Sequence, residues 1–228
     1  MKLRSLALSL YGHPDHVAIP FSFETRSLCN FVQRHARTLK IDTVGFNKIV
    51  VNDDPLFLGE PITKLVPEKA LSVPFRFDAD RYLGADQQRK QEYFVEILRQ
   101  GLLSASDFYP LPLDKLLQRV DDYVCAGYRN QWVHSTKKIS AKGDIAELFC
   151  DLSMESFTLT LRVHRRDAAP IFLPILVTKP DEICYHYKFK DLVLADGDLV
   201  ITTRIPDGGE LTRFNLCGLL AAADQSGE

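Results

Sequence analysis

A chain of 228 residues, 46 % apolar and 25 % charged, has the makeup of an ordinary folded protein and is long enough for one large domain or two small ones. A formal charge of −2 excludes the basic excess that marks proteins living on phosphate backbones. The charge is uneven. Residues 1–128 carry 16 basic and 16 acidic side chains, residues 129–190 carry 10 and 7, and residues 191–228 carry 2 and 7.

The chain opens on MKLRSLALSLYGHPDH, in which Leu6, Leu8 and Leu10 alternate as on a half-buried strand. Lys2 and Arg4 precede the apolar run as in a signal peptide, but the run is short and broken by Ser9. A His- and Pro-rich loop is expected next. TRSLCNFVQRHARTLK then places Leu28, Phe31, Val32, His35 and Leu39 at helical spacing, with Arg26, Arg34 and Arg37 away from them. TVGFNKIVV has strand character and is stopped by the turn residues of NDDP. Between Leu56 and Pro74 the prolines allow only short or edge strands, and Leu56, Phe57, Leu58, Ile62, Leu65 and Val66 are too apolar for a flexible tether.

Two amphipathic helices follow. The first carries Phe94, Ile97, Leu98, Gly101 and Leu102 in one stripe, with Asp86 as its cap. The second carries Leu113, Leu116, Leu117, Val120, Tyr123 and Val124 between Pro112 and a capping Gly127. From Tyr128 the period becomes two. AELFCDL and SFTLTLRVH alternate cleanly, IFLPILV reads as an edge or bulged strand because of Pro174, and Asp196-Gly197 marks a two-residue hairpin turn. DEICYHYKFKD, residues 181–191, is read as a further strand with Ile183, Tyr185, Tyr187 and Phe189 on one side and Cys184, His186, Lys188 and Lys190 on the other.

Helices grouped before a run of hairpins imply an α+β fold, an antiparallel C-terminal meander packed against about three amphipathic helices, rather than a βαβ parallel sheet. The expected organisation is one domain over residues 1–220, helix-rich in 1–128 and β-rich in 129–220, with 221–228 a frayed tail. The cysteines, at 29, 125, 150, 184 and 217, stand at least 25 residues apart, which excludes a C-x-x-C pair or a zinc knuckle and suits the reducing cytoplasm. No run approaches the roughly 18–20 apolar residues of a membrane span.

His13 and His16 in HPDH are a type of cluster from which metal sites are made, but no third ligand stands at fixed spacing, so the stretch is read as a surface loop. Asp53 and Asp54 are read as turn residues, since no calcium-loop pattern surrounds them. Cys184 and His186 on one strand face lie roughly 6–7 Å apart, too far for direct activation of the thiol without help from His134 or His164. No phosphate loop, dinucleotide fingerprint, nucleophile elbow or H-E-x-x-H motif is present. No catalytic residue, metal or cofactor is therefore assigned.

The residues left as a recognition surface are Trp132, His134 and Lys138 on one strand face, with Tyr185, His186 and Lys188 beside them, because Trp and Tyr dominate binding energy at interfaces. The expected function is a non-enzymatic protein-binding module, such as an immunity-type inhibitor that neutralises a toxin or another enzyme. The acidic end, with Asp191, Asp196, Asp198, Asp207 and Glu210, would complement a basic partner. The alternatives are a hydrolase-like or nuclease-like enzyme using His, Cys or Asp, and a weak RNA binder. No membrane partner is expected, and nucleic acid is the least favoured ligand.

Overall fold

The computed structural model describes residues 1–54, 62–206 and 208–222, which gather into two compact units, Met1–Asn130 and Gln131–Glu228. The fold is mixed α+β with two antiparallel sheets and one mixed sheet.

The first unit is built on strands β1 (Ser5–Leu10), β2 (Lys48–Asp53), β3 (Lys64–Val66) and β4 (Ala70–Pro74), in the order β1-β2-β4-β3. β1 pairs parallel with β2, and β2 parallel with β4; only β3 runs against its neighbour. A parallel crossover is thus present here, where the grouping of helices before hairpins pointed to antiparallel pairing alone. Leu6, Ile49 and Leu71 lie side by side in register, as do Leu8, Val51 and Val73, and all six are buried. The three-residue β3 sits at the edge, as the prolines require; Leu56, Phe57 and Leu58 lie outside the described residues.

The β1–β2 crossover is helical almost throughout. α1 (Asp15–Glu24) occupies the stretch expected as loop, because Pro14 stands just before its first turn and Pro20 forfeits a single backbone bond. A break at Thr25 leads into α2 (Arg26–Leu39), which buries Leu28, Phe31 and Val32 as its spacing implies. α3 (Ala79–Leu83) is a short turn capped by Asp78, whose carboxylate accepts from the Arg81 N–H. α4 (Gln87–Phe108) is capped by Asp86, which accepts from the Arg89 N–H at 2.8 Å, and buries the whole predicted stripe.

α5 (Leu113–Cys125) ends in a Schellman motif. The Tyr128 N–H donates to the Tyr123 carbonyl and the Gly127 N–H to that of Val124, with Gly127 at φ +64° and the Tyr123 and Tyr128 rings in contact. The buried Tyr123 hydroxyl donates to Ser27 Oγ at 3.1 Å, and burial pushes it up to about 12, so it remains a donor throughout the physiological range.

Helix α4 rests directly on the sheet at Gly101. A β-carbon there would fall 2.2 Å from Cγ2 of the fully buried, stiff Val51 side chain.

The second unit contains two antiparallel meanders. β5 (Asn130–Lys138), which starts at the last residue of the first unit, joins β6 (Ile145–Leu152), β7 (Phe157–His164) and β8 (Ile171–Thr178) in sequential order. α6 (Glu182–Tyr185) leads to β9 (Leu192–Ala195), β10 (Asp198–Thr202) and β11 (Glu210–Asn215), and α7 (Leu216–Ala222) follows. Residues 223–228 of the expected frayed tail lie outside the described residues. β8 is an edge strand with a register shift opposite it, as Pro174 implied. Asp196 and Gly197 both take positive φ, 54° and 82°, and close the β9–β10 hairpin in two residues. One core joins both sheets: Leu148, Leu159 and Leu161 from the first, Leu192, Leu199 and Ile201 from the second. Among the described residues no helix is long and apolar enough to cross a membrane.

Gly101→Ala is expected to destabilise the first unit by about 1–2 kcal/mol, overpacking against Val51 outweighing the higher helix propensity of Ala. Urea unfolding followed by circular dichroism should show that loss, and Val51→Ala in the same chain should recover part of it.

Candidate functional site

The stretch 181–191 is a helical turn and not a strand. Asp181 accepts from the Ile183 N–H at 3.2 Å, α6 follows, and the chain reaches β-structure only at Leu192. The burial pattern corrects accordingly: Tyr185 and Phe189, four residues apart as on one helix face, are each 4 % exposed, whereas Ile183 is 78 % and Tyr187 61 % exposed. Tyr185 stacks on Phe157 with ring centroids 3.7 Å apart, and Phe189 stacks on Phe157 at 5.7 Å. Trp132, half-buried, lies against the same Phe157 at 6.1 Å.

Two of the six expected recognition residues therefore meet in the core of the second unit. His134 joins them from the rim, its ring edge-on to Phe189 and its Nε2 bonded to the Lys190 carbonyl oxygen at 2.9 Å. Lys138, His186 and Lys188 are exposed. Cys184 and His186, two apart on a helical turn, point in different directions around it. The other possible helper, His164, is bonded to Glu147 at 3.1 Å.

The acidic C-terminal residues are largely engaged within the unit. Arg213 bridges Asp198 at 3.2 Å and Glu210 at 2.6 Å. Asp191 accepts from the Ser135 hydroxyl and the Leu192 N–H, and these bonds hold its carboxyl below the usual range. Asp207 lies outside the described residues.

The first unit brings together what the sequence kept apart. β1 ends at Leu10 and, after Gly12 at φ +75°, delivers His13; β2 runs parallel beside it and ends at Asp53. His13 Nε2 lies 2.9 Å from Asp53 Oδ2, with both side chains mostly buried, at 16 % and 22 % exposure. The Phe77 ring stands edge-on to the imidazole at 5.3 Å and is itself part of an aromatic wall with Phe21 and Tyr82. Asp53 lines a cleft of about 260 Å³ together with Asn52, Asp54, Lys64, Ser72 and Phe75. Ser72 Oγ donates to Asn52 Oδ1 at 2.8 Å, which fixes the amide at the cleft wall.

This is the carboxyl end of parallel strands, where open α/β sheets bind ligands. A carboxylate bonded to one imidazole nitrogen sets the tautomer and leaves the other nitrogen for a proton transfer. His16, exposed on α1, stays apart, and no group of three His, Cys, Asp or Glu side chains able to hold a metal occurs among the described residues. Local signals for this site existed: two chemistry-bearing clusters each directly follow an alternating strand, and only the parallel pairing was hidden.

Comparison with protein-family models, curated proteins and solved structures finds no match to this chain.

Tyr185→Ala should cost about 3–5 kcal/mol in the second unit through loss of the Phe157 stack, while His186→Ala and Lys188→Ala stay within about 0.5 kcal/mol of wild type; chemical denaturation separates these outcomes. Because the Asp191 carboxyl is held low in the folded state, its contribution is present above about pH 4 and is lost as pH falls through the folded value. The melting temperature of Asp191→Asn should accordingly fall less steeply than that of wild type when the pH is lowered from about 5 to about 2.

Proposed function

We propose that the first unit binds a small polar molecule at the carboxyl ends of β1 and β2 and that His13, oriented by Asp53, moves a proton there, in an acid-base reaction of hydrolytic type. The observation that carries this reading is the 2.9 Å bond of His13 to Asp53, which lines a small cleft. The aromatic wall behind the imidazole limits its contact with water, and Asn52 and Ser72 supply neutral hydrogen-bonding groups. Two carboxylates against one ammonium at the cleft favour an uncharged or cationic substrate over a phosphoester, so the nuclease form of this reading is the weaker one. At about 260 Å³ the cleft suits a ligand smaller than those of typical pockets, roughly 300–1,000 Å³.

The second reading is the protein-binding module, of inhibitor or immunity type. The feature in its favour is a cluster of mostly exposed cations at the opposite end of the same sheet, which nothing in the chemistry of the cleft requires.

The test of the first reading is hydrolysis of a panel of neutral chromogenic esters, amides and glycosides by the full chain. His13→Gln and Asp53→Asn should each lower turnover by at least 100-fold, the scale of acid-base assistance, while melting close to wild type. Turnover that survives both substitutions, or a wild-type protein inert on the whole panel, would sink it.

A further inference from the structure

We infer that the amino-terminal edge of the mixed sheet is a docking surface for an acidic protein partner. This inference deepens the protein-binding reading and is independent of the cleft. Parallel pairing collects the strand starts as it collects the strand ends. The Arg4 N–H donates to the Asn47 carbonyl at 2.8 Å, and the Asn47 N–H donates to the Lys69 carbonyl at 2.9 Å, so Arg4 and Lys69 flank Asn47 at the strand starts, and Lys48 follows one residue further along β2, opposite Ser5 and Ala70.

Lys40 at the end of α2 and Arg37 one turn earlier belong to the same edge, since the Arg37 Nε–H donates to the Arg4 carbonyl. Arg4, Arg37, Lys40 and Lys69 are exposed and Lys48 is half-buried. The carboxylates of this edge are Asp42, paired with Lys2 at 2.7 Å, and exposed Glu68 beside Lys69 in the chain. Arg4, Lys40, Lys48 and Lys69 have no carboxylate partner among the described residues.

This arrangement carries two physical costs. Like charges gathered at one end of a sheet repel. Lys40 and Lys69 also take left-handed backbone angles, φ 50° and 57°, where glycine is the unstrained choice. An anionic surface docked here would relieve the repulsion.

The edge also carries an apolar anchor. Val44, in the loop joined to the chain start by the Thr43 N–H to Met1 carbonyl bond, is 72 % exposed. An exposed aliphatic side chain four residues from both Lys40 and Lys48 fits a protein surface, with its apolar centre and charged rim, better than a phosphate backbone.

The experiment is fluorescence anisotropy with the full chain and two labelled probes, a peptide of Glu-Glu-Leu repeats and a DNA duplex of matched charge, each at 50 and 200 mM NaCl. The expected result is preferential binding of the peptide, weakened about tenfold or more in Lys48→Gln/Lys69→Gln, roughly what two exposed charge contacts supply, and weakened also in Val44→Ser. Hydrolysis at the cleft should be unchanged in the double variant, so the two readings fail separately. Absence of peptide binding, equal binding by the lysine variant, equal binding by Val44→Ser, or tighter binding of the duplex would each overturn the proposal.

Discussion

The constraint on which the first unit depends is the shared direction of β1, β2 and β4. Strands that run the same way must be joined by crossovers that carry the chain from one end of the sheet back to the other. Every strand end then falls on one edge and every strand start on the opposite edge. His13 meets Asp53 for that reason, and Arg4, Lys48 and Lys69 gather at the opposite edge for the same reason. The sheet is electrically polar as a result: carboxylates outnumber ammonium groups at the cleft, and cations outnumber carboxylates at the other rim.

Packing protects that geometry. The rows Leu6–Ile49–Leu71 and Leu8–Val51–Val73 fix the register, and a one-residue slip of β2 would turn Ile49 and Val51 away from the helices and take Asp53 away from His13. Gly101 lets α4 approach the middle strand closely enough to seal these rows. Asp53 is thus fixed at the end of a packed strand, and His13 follows the end of its parallel neighbour.

Periodicity made much of the fold legible. α4 and α5 could be read from their stripes, β6 and β7 from strict alternation, the β9–β10 turn from Asp196-Gly197, and the edge position of β8 from Pro174. Residues 181–191 misled because the alternating pattern from Tyr185 to Phe189 satisfies a period of two, while Tyr185 and Phe189 also satisfy a spacing of four. The capping Asp181 was the signal that decides between them. α1 was hidden by its two prolines. The candidate site escaped for a different reason: strand order is a property of long-range pairing, and no local pattern states that residues 13 and 53 end on neighbouring parallel strands. Composition pointed to the acidic C-terminal stretch for charge recognition, yet Asp191, Asp198 and Glu210 are engaged by Ser135, Arg213 and backbone, and the cation cluster at the strand starts lies in a region whose net charge is zero.

The tryptophan packed on Phe157 has an optical consequence. Trp132 is the chain's single indole and packs on Phe157 of the second unit, so fluorescence excited at the red edge of the absorption band reports on the surroundings of that stack. The helices of the first unit dominate the far-ultraviolet ellipticity. Two probes of one sample therefore watch two different parts of the molecule, and the degree to which their transitions coincide measures how far the two units unfold as one cooperative body.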